Sequence, residues 1–151
     1  MTAIDELTRE HDAVVGLISD VRGAYAAGRV DRMAESARAI EAILGPHTAV
    51  EERGLFPALA ADFPDHISAL QADHRRIESV LGEAAAAVPA DPTWPRRLLD
   101  ILDELRDHIL REQDGVFPAA LTTLRTADWE ALEAVRAQVG IAVLTAGGAN
   151  L

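Results

Sequence analysis

Apolar residues recur at Ile4, Leu7, Val14, Ile18, Val21 and Tyr25 with the three-and-four spacing of one helix face. This stripe predicts a helix from about Thr2 to Ala27, stopped by Gly28. A second stripe through Met33, Ala37, Ile40 and Leu44 follows Asp31, a suitable N-cap. It should run to about Ala60, kinked or loosened at Gly45-Pro46. After Phe63-Pro64, Asp65 is placed to cap a third helix carrying Ile67, Leu70, Ile77, Leu81 and Val88. A turn-rich connector from Pro89 to Pro95 leads to a fourth stripe, Leu98, Ile101 and Leu105, which meets Gly115. Trp129, Leu132, Val135 and Val139 mark a shorter fifth helix packed outside.

No stretch alternates with period two over a useful length, so no strand is predicted. The expected fold is all-α: an up-down-up-down four-helix bundle with a short additional C-terminal helix. Residues 1–140 are expected to form this one domain, and 141–151, rich in small residues, a loose tail.

The interruptions of the stripes carry the chemistry. His11 falls between Leu7 and Val14, and His74 between Leu70 and Ile77, so both histidines face inward. On the second helix His47 and Glu51 extend the stripe of Ile40 and Leu44; on the fourth, His108 and Glu112 extend Ile101 and Leu105. Each pair is a His-x-x-x-Glu, and residues four apart on a helix are separated by about 6 Å along the axis and about 40° around it. That spacing suits two ligands of one metal cluster. Counting from the turns places His11, His47, Glu51, His74, His108 and Glu112 in one layer.

The two halves of the chain repeat. HTAVEERGLFPA from His47 and HILREQDGVFPA from His108 share histidine, glutamate, phenylalanine, proline and alanine at equal offsets. REHDAV around His11 and ADHRRI around His74 form a weaker pair in the same order. A pseudo-twofold bundle should therefore bring two equivalent half-sites face to face. One buried histidine is readily satisfied by a neighbouring carboxylate. Four histidines and two glutamates in a single interior layer need a counter-charge, which a metal supplies.

The chain has no cysteine, so any metal is held by nitrogen and oxygen, and iron, manganese and zinc all fit these ligand types. The formal charge of −11 disfavours nucleic acid or an anionic membrane as partner. No apolar run reaches the about 18 residues of a membrane span, and the acidic N-terminal segment lacks a secretory leader, so a cytoplasmic protein is expected.

His11 in EHD, His47 and Glu51 in HTAVEERGLFP, His74 in ADH, and His108 and Glu112 in HILREQDGVFP together resemble the hemerythrin-like, HHE cation-binding family, over roughly residues 5 to 121. The resemblance implies a bundle holding two iron ions in an oxo- or hydroxo-bridged di-iron centre, with Glu51 and Glu112 bridging and the four histidines terminal. Manganese or zinc stand as lesser alternatives. Oxygen carriers of that family have a second histidine four residues from the one on helix three and His-x4-Asp on helix four. Here Leu70 and Glu78 flank His74, a pattern closer to bacterial members linked to iron sensing, nitric oxide or peroxide handling, and iron–sulfur repair.

Two six-coordinate irons offer about 12 positions, of which this ligand set and one bridging oxygen leave about two open. Glu78 is placed to close one of them. The implied function is binding or handling of a small diatomic or peroxide ligand (oxygen, nitric oxide or peroxide) in sensing, storage or detoxification. A di-iron oxidoreductase, or a structural bundle loaded with another divalent metal, are the alternatives.

Other polar residues near the layer are assigned different roles. His66 reads as a surface or entry-channel histidine and Tyr25 as core. Glu10, Asp12, Glu52, Asp73 and Asp114 lie off the inward line, mostly solvated, with one or two as partners of the ligand histidines. Phe56-Pro57 and Phe117-Pro118 should terminate or bend their helices and wall off the site.

Overall fold

The computed structural model describes residues 2–140, which are helical and contain no strand. Helix α1 spans Ala3–Ala26. The Thr2 side chain accepts from the Asp5 backbone N–H while the Asp5 carboxylate accepts from the Thr2 backbone, a reciprocal cap. Gly28, at φ 69°, adopts the left-handed conformation that ends the helix.

Helix α2, Val30–Val50, widens into a π-turn at Glu51–Leu55 and continues briefly as Phe56–Leu59. Helix α3 is Pro64–Gly82. Helix α4, Trp94–Arg111, repeats the device, with a π-turn at Glu112–Val116 followed by Phe117–Thr123. Helix α5 is Thr126–Val139.

The widening has a local cause. Pro57 and Pro118 have no N–H to donate, and in a regular helix their rings would collide with the carbonyl four residues back. In both places the chain takes an extra residue into the turn, and Phe56 and Phe117 N–H groups bond to Glu51 and Glu112 carbonyls.

Several expected boundaries move. Asp31 does not cap α2; it lies inside the first turn, and its carboxylate takes two Arg29 guanidinium hydrogen bonds at 3.0 and 2.8 Å. Asp65 likewise lies inside the first turn of α3, behind Pro64. Gly45-Pro46 does not interrupt α2, whose widening comes later, at Glu51. Helix α3 ends at Gly82, so Val88 lies beyond it and is exposed, and Tyr25, at the end of α1, is 42% exposed rather than core. The expected tail at 141–151 falls outside the described residues.

Two apolar cores fill the bundle. One, beneath the α1–α2 turn, includes Ile18, Met33, Ile40, Leu81, Trp94 and Leu98. The other, at the opposite end, includes Leu7, Leu55, Phe56, Ile67, Leu70 and Phe117, and α5 adds Leu132. Each such side chain, fully buried, contributes about 1.5–3 kcal/mol. The buried histidines and glutamates lie between these cores. Among the described residues no helix is long and apolar enough to cross a membrane.

Candidate metal centre

The structure brings all six sequence-derived residues into one buried layer: His11 and His47 are 1% and 2% exposed, Glu51 and Glu112 0%, His74 6% and His108 2%. They form two groups, His11–His47–Glu51–Glu112 and Glu51–His74–His108–Glu112, and within each the candidate ligand atoms lie within 4.8 Å of one another. Both glutamates belong to both groups. The repeat in the sequence has become a pair of half-sites joined by shared carboxylates.

Each of the four histidines of the layer presents Nε2 to the centre. His11 Nε2 lies 3.0 Å and His108 Nε2 3.4 Å from Glu112 Oε1, while His47 and His74 Nε2 lie 3.4 and 3.3 Å from the two Glu51 oxygens. The Nε2 atoms of His74 and His108 are themselves 3.1 Å apart.

Each of their Nδ1 atoms faces outward toward a side-chain oxygen, at hydrogen-bond distance in all but His74. His47 Nδ1 meets Glu10 Oε1 and His108 Nδ1 meets Asp73 Oδ2, each at 3.0 Å. His11 Nδ1 lies 3.1 Å from Gln113 Oε1, and His74 Nδ1 lies 3.5 Å from Glu52 Oε1. An ionised carboxylate only accepts, so His47 and His108 carry a hydrogen on Nδ1, and it is Nε2 that would give up its proton for a metal at the centre. Glu10 and Asp73 are ionised: burial pushes their pKa up, but hydrogen bonds from His47 and Arg136, and from His108 with the Arg111 charge, hold both below the usual carboxylate range.

Of the five acidic residues expected to be mostly solvated, Glu10 and Asp73 are therefore buried partners of the histidines. Glu52 is half-buried, and Asp12 and Asp114 are exposed. Their sequence signal was the acid-histidine step, Glu10-His11 and Asp73-His74, repeated in the two halves. Arg136 went unseen. It comes from α5, is 3% exposed, and grips Glu10 with two hydrogen bonds of 2.9 and 2.7 Å.

Buried carboxylates without counter-charge are costly, and protein groups alone answer them only by protonating the imidazoles. Burial depresses the His47 pKa, yet the Glu51 charge and the hydrogen bond to Glu10 outweigh it and push it up to about 10. Burial likewise opposes His108, but Glu112 and then Glu51 and Asp73 push it up to about 9. Both oxygens of Glu51 and Glu112, with Nε2 of His11 and His47, lack any hydrogen-bond partner. Buried, unpartnered and convergent nitrogen and oxygen atoms are what a divalent cation satisfies, so the residues fit a metal pair.

Aromatic walls close the layer on one side: Phe117 stacks on His11 at 5.4 Å and 11°, and Phe56 on His74 at 5.7 Å and 12°. On the other side a narrow pocket, with room for about one water molecule, runs in between Leu44, Thr48, Ile77, Leu105 and Ile109. Glu78 also lines it but is exposed and belongs to neither ligand group. His66 is exposed and lies outside the layer.

A family model described as hemerythrin HHE cation binding domain matches residues 2–120. Comparison with curated proteins and with solved structures returned no match.

Proposed function

Since the chain belongs to the hemerythrin HHE cation-binding family, we propose that His11, His47, Glu51, His74, His108 and Glu112 hold two iron ions, with both glutamates spanning the pair, and that the centre binds a small diatomic or peroxide ligand in sensing, storage or detoxification. The observation that carries this reading is the sharing of Glu51 and Glu112 between two clusters whose histidines all turn Nε2 inward. That sharing supports two metals close together, each with two imidazoles; a single ion would leave one pair of histidines without a metal.

Bound iron supplies Lewis acidity and one-electron redox chemistry at an open position. The protein's own groups do the rest. Glu10 and Asp73 fix the tautomer and ring orientation of His47 and His108 and raise their basicity. Glu51 and Glu112, members of both groups, would neutralise cationic charge in a region of low dielectric. Leu44, Ile77, Leu105 and Ile109 keep the pocket apolar and admit only small ligands, and Glu78 stands exposed at its lining. The openings left by this ligand set, together with that narrow pocket, favour a small ligand over a bulky organic substrate.

Elemental analysis of protein purified without added metal, with its visible spectrum before and after peroxide or nitric oxide, tests the proposal. About two irons per chain and a spectral change on addition are expected. Zinc, or no metal, not reversed by anaerobic iron loading, would overturn it.

A further inference from the structure

The two half-sites are built alike but closed differently. In each, an acid preceding a ligand histidine holds the Nδ1 of a histidine on the next helix, and an arginine holds the acid. At the first half-site the acid is Glu10, 0% exposed, and its arginine is Arg136, whose side chain is 4% exposed and also reaches Glu6 at 3.1 Å. At the second the acid is Asp73, held by Arg76 and Arg111, whose side chains are 54% and 50% exposed.

The covering helix explains the difference. Helix α5 lies against the first π-turn so closely that a Cβ at Gly54 would stand 2.9 Å from Leu132 Cδ1, and Glu133 accepts the Ala3 backbone N–H at 2.9 Å. Gly115, the repeat partner of Gly54, has nothing within 4 Å of the same position. Helix α5 begins at Thr126, beyond the residues 2–120 that match the family. The seal over the first half-site thus lies outside the residues that the family model matches.

We propose that α5, acting through Arg136, locks the metal of the His11–His47 half-site in place, so that metal enters and leaves first through the His74–His108 half-site. The inference rests on the two-metal reading above. Release of a metal requires its histidines to turn away. His47 turns only if Glu10 gives way, and Glu10 is pinned from behind by a buried, bidentate ion pair that has no water to replace it. His108 turns when Asp73 gives way, and Asp73 is pinned by arginines already half in solvent, whose pairing water readily substitutes. Arg136 is a positioning residue here; it touches no ligand atom of the centre.

The test uses full-length protein loaded anaerobically with ferrous iron. Its metal content is measured first, so that failure to hold about two ions discredits the two-metal reading and not the lock. Release to a coloured iron(II) chelator should then show two phases of equal amplitude, the slower by at least about tenfold. Arg136→Ala should abolish the slow phase while leaving the fast rate unchanged, and Arg136→Lys, which keeps the charge, should restore part of it. The paired variant Arg76→Ala with Arg111→Ala should quicken the fast phase alone and serves if Arg136→Ala does not fold. A single phase in the unaltered protein, or a slow phase that survives in Arg136→Ala, would overturn the lock.

Discussion

Asp73 Oδ2 lies 3.0 Å from His108 Nδ1, the same separation that Glu10 Oε1 keeps from His47 Nδ1 on the opposite side of the bundle. The two carboxylates are set 63 positions apart in the chain, as are His11 and His74, so the sequence repeat and the hydrogen-bond repeat coincide. Removing one acid leaves the imidazole free to choose the wrong tautomer. Asp73→Ala should weaken metal binding by about 10–100-fold, as outer partners of ligand histidines typically do. Competitive chelator titration measures this, and unaltered affinity would show that the contact does not orient the ring.

Glu10→Ala should cost more stability than Asp73→Ala. It leaves buried Arg136 with Glu6 alone in place of its bidentate partner, and breaking a buried pair from one side costs up to roughly 3–5 kcal/mol. Arg76 and Arg111 turn to water when Asp73 is lost, at about 0–1 kcal/mol each. Urea unfolding of the two metal-free variants compares them; equal losses would contradict the assignment of Arg136 as buried support.

The shared carboxylates and the terminal histidines should differ in stoichiometry. His47 belongs to one ligand group and Glu112 to both. His47→Ala should retain about one metal per chain, and Glu112→Ala close to none. Retention of both metals by Glu112→Ala would remove the bridging role.

Two glycines give a matched pair. Glycine to alanine inside a helix normally gains about 0.5–1 kcal/mol. Gly115→Ala should be neutral or gain that much, because nothing crowds the position, whereas Gly54→Ala must push Leu132 and α5 aside and should lose about 1–3 kcal/mol. Thermal melts decide it, and a stabilised Gly54→Ala would mean that α5 is not seated as described.

Chelator-treated protein should be most stable in mild acid. His47 and His108, raised from 6.5 to about 10 and about 9, contribute stability that is full below pH 6.5 and lost as pH climbs through those values. Glu51 is opposed by its own burial, but the His47 charge and the close approach of His74 hold it well below 4.5, so its contribution is present above pH 4.5 and lost in acid. Melting temperature should therefore peak between about pH 4.5 and 6.5. Metal-loaded protein should move the other way from about pH 6 to 8, because ligation requires neutral imidazole. Parallel profiles with and without chelator would sink this prediction.

The helices and the six-residue layer were legible because each histidine or glutamate continues an apolar stripe, and a stripe reports the inward face whatever occupies it. The same logic misled at helix ends. Tyr25 and Val88 keep the period of their stripes, but the first lies exposed in the last turn of α1 and the second beyond the end of α3. Glu10 and Asp73 sit one residue before a ligand, about 100° away from its direction, so they reach a neighbouring helix instead of their own histidine. Arg136, four residues after Leu132 and three before Val139, lies on the stripe of the fifth helix and is inward by the same logic, but its partner is 126 residues away and nothing local names it.

The π-turns have a further consequence. An extra residue in one turn rotates everything downstream by about 100° relative to everything upstream. The stretches before Glu51 and Glu112 therefore obey one phase of the helical repeat, and those after Phe56 and Phe117 obey another. Each phase serves its own end of the molecule, one aiming His47 and His108 at the centre and the other laying a phenyl ring flat on a histidine from a different helix. Deleting one residue from either turn would give a sequence with a cleaner hydrophobic rhythm and a bundle whose two ends no longer agree on where the middle is.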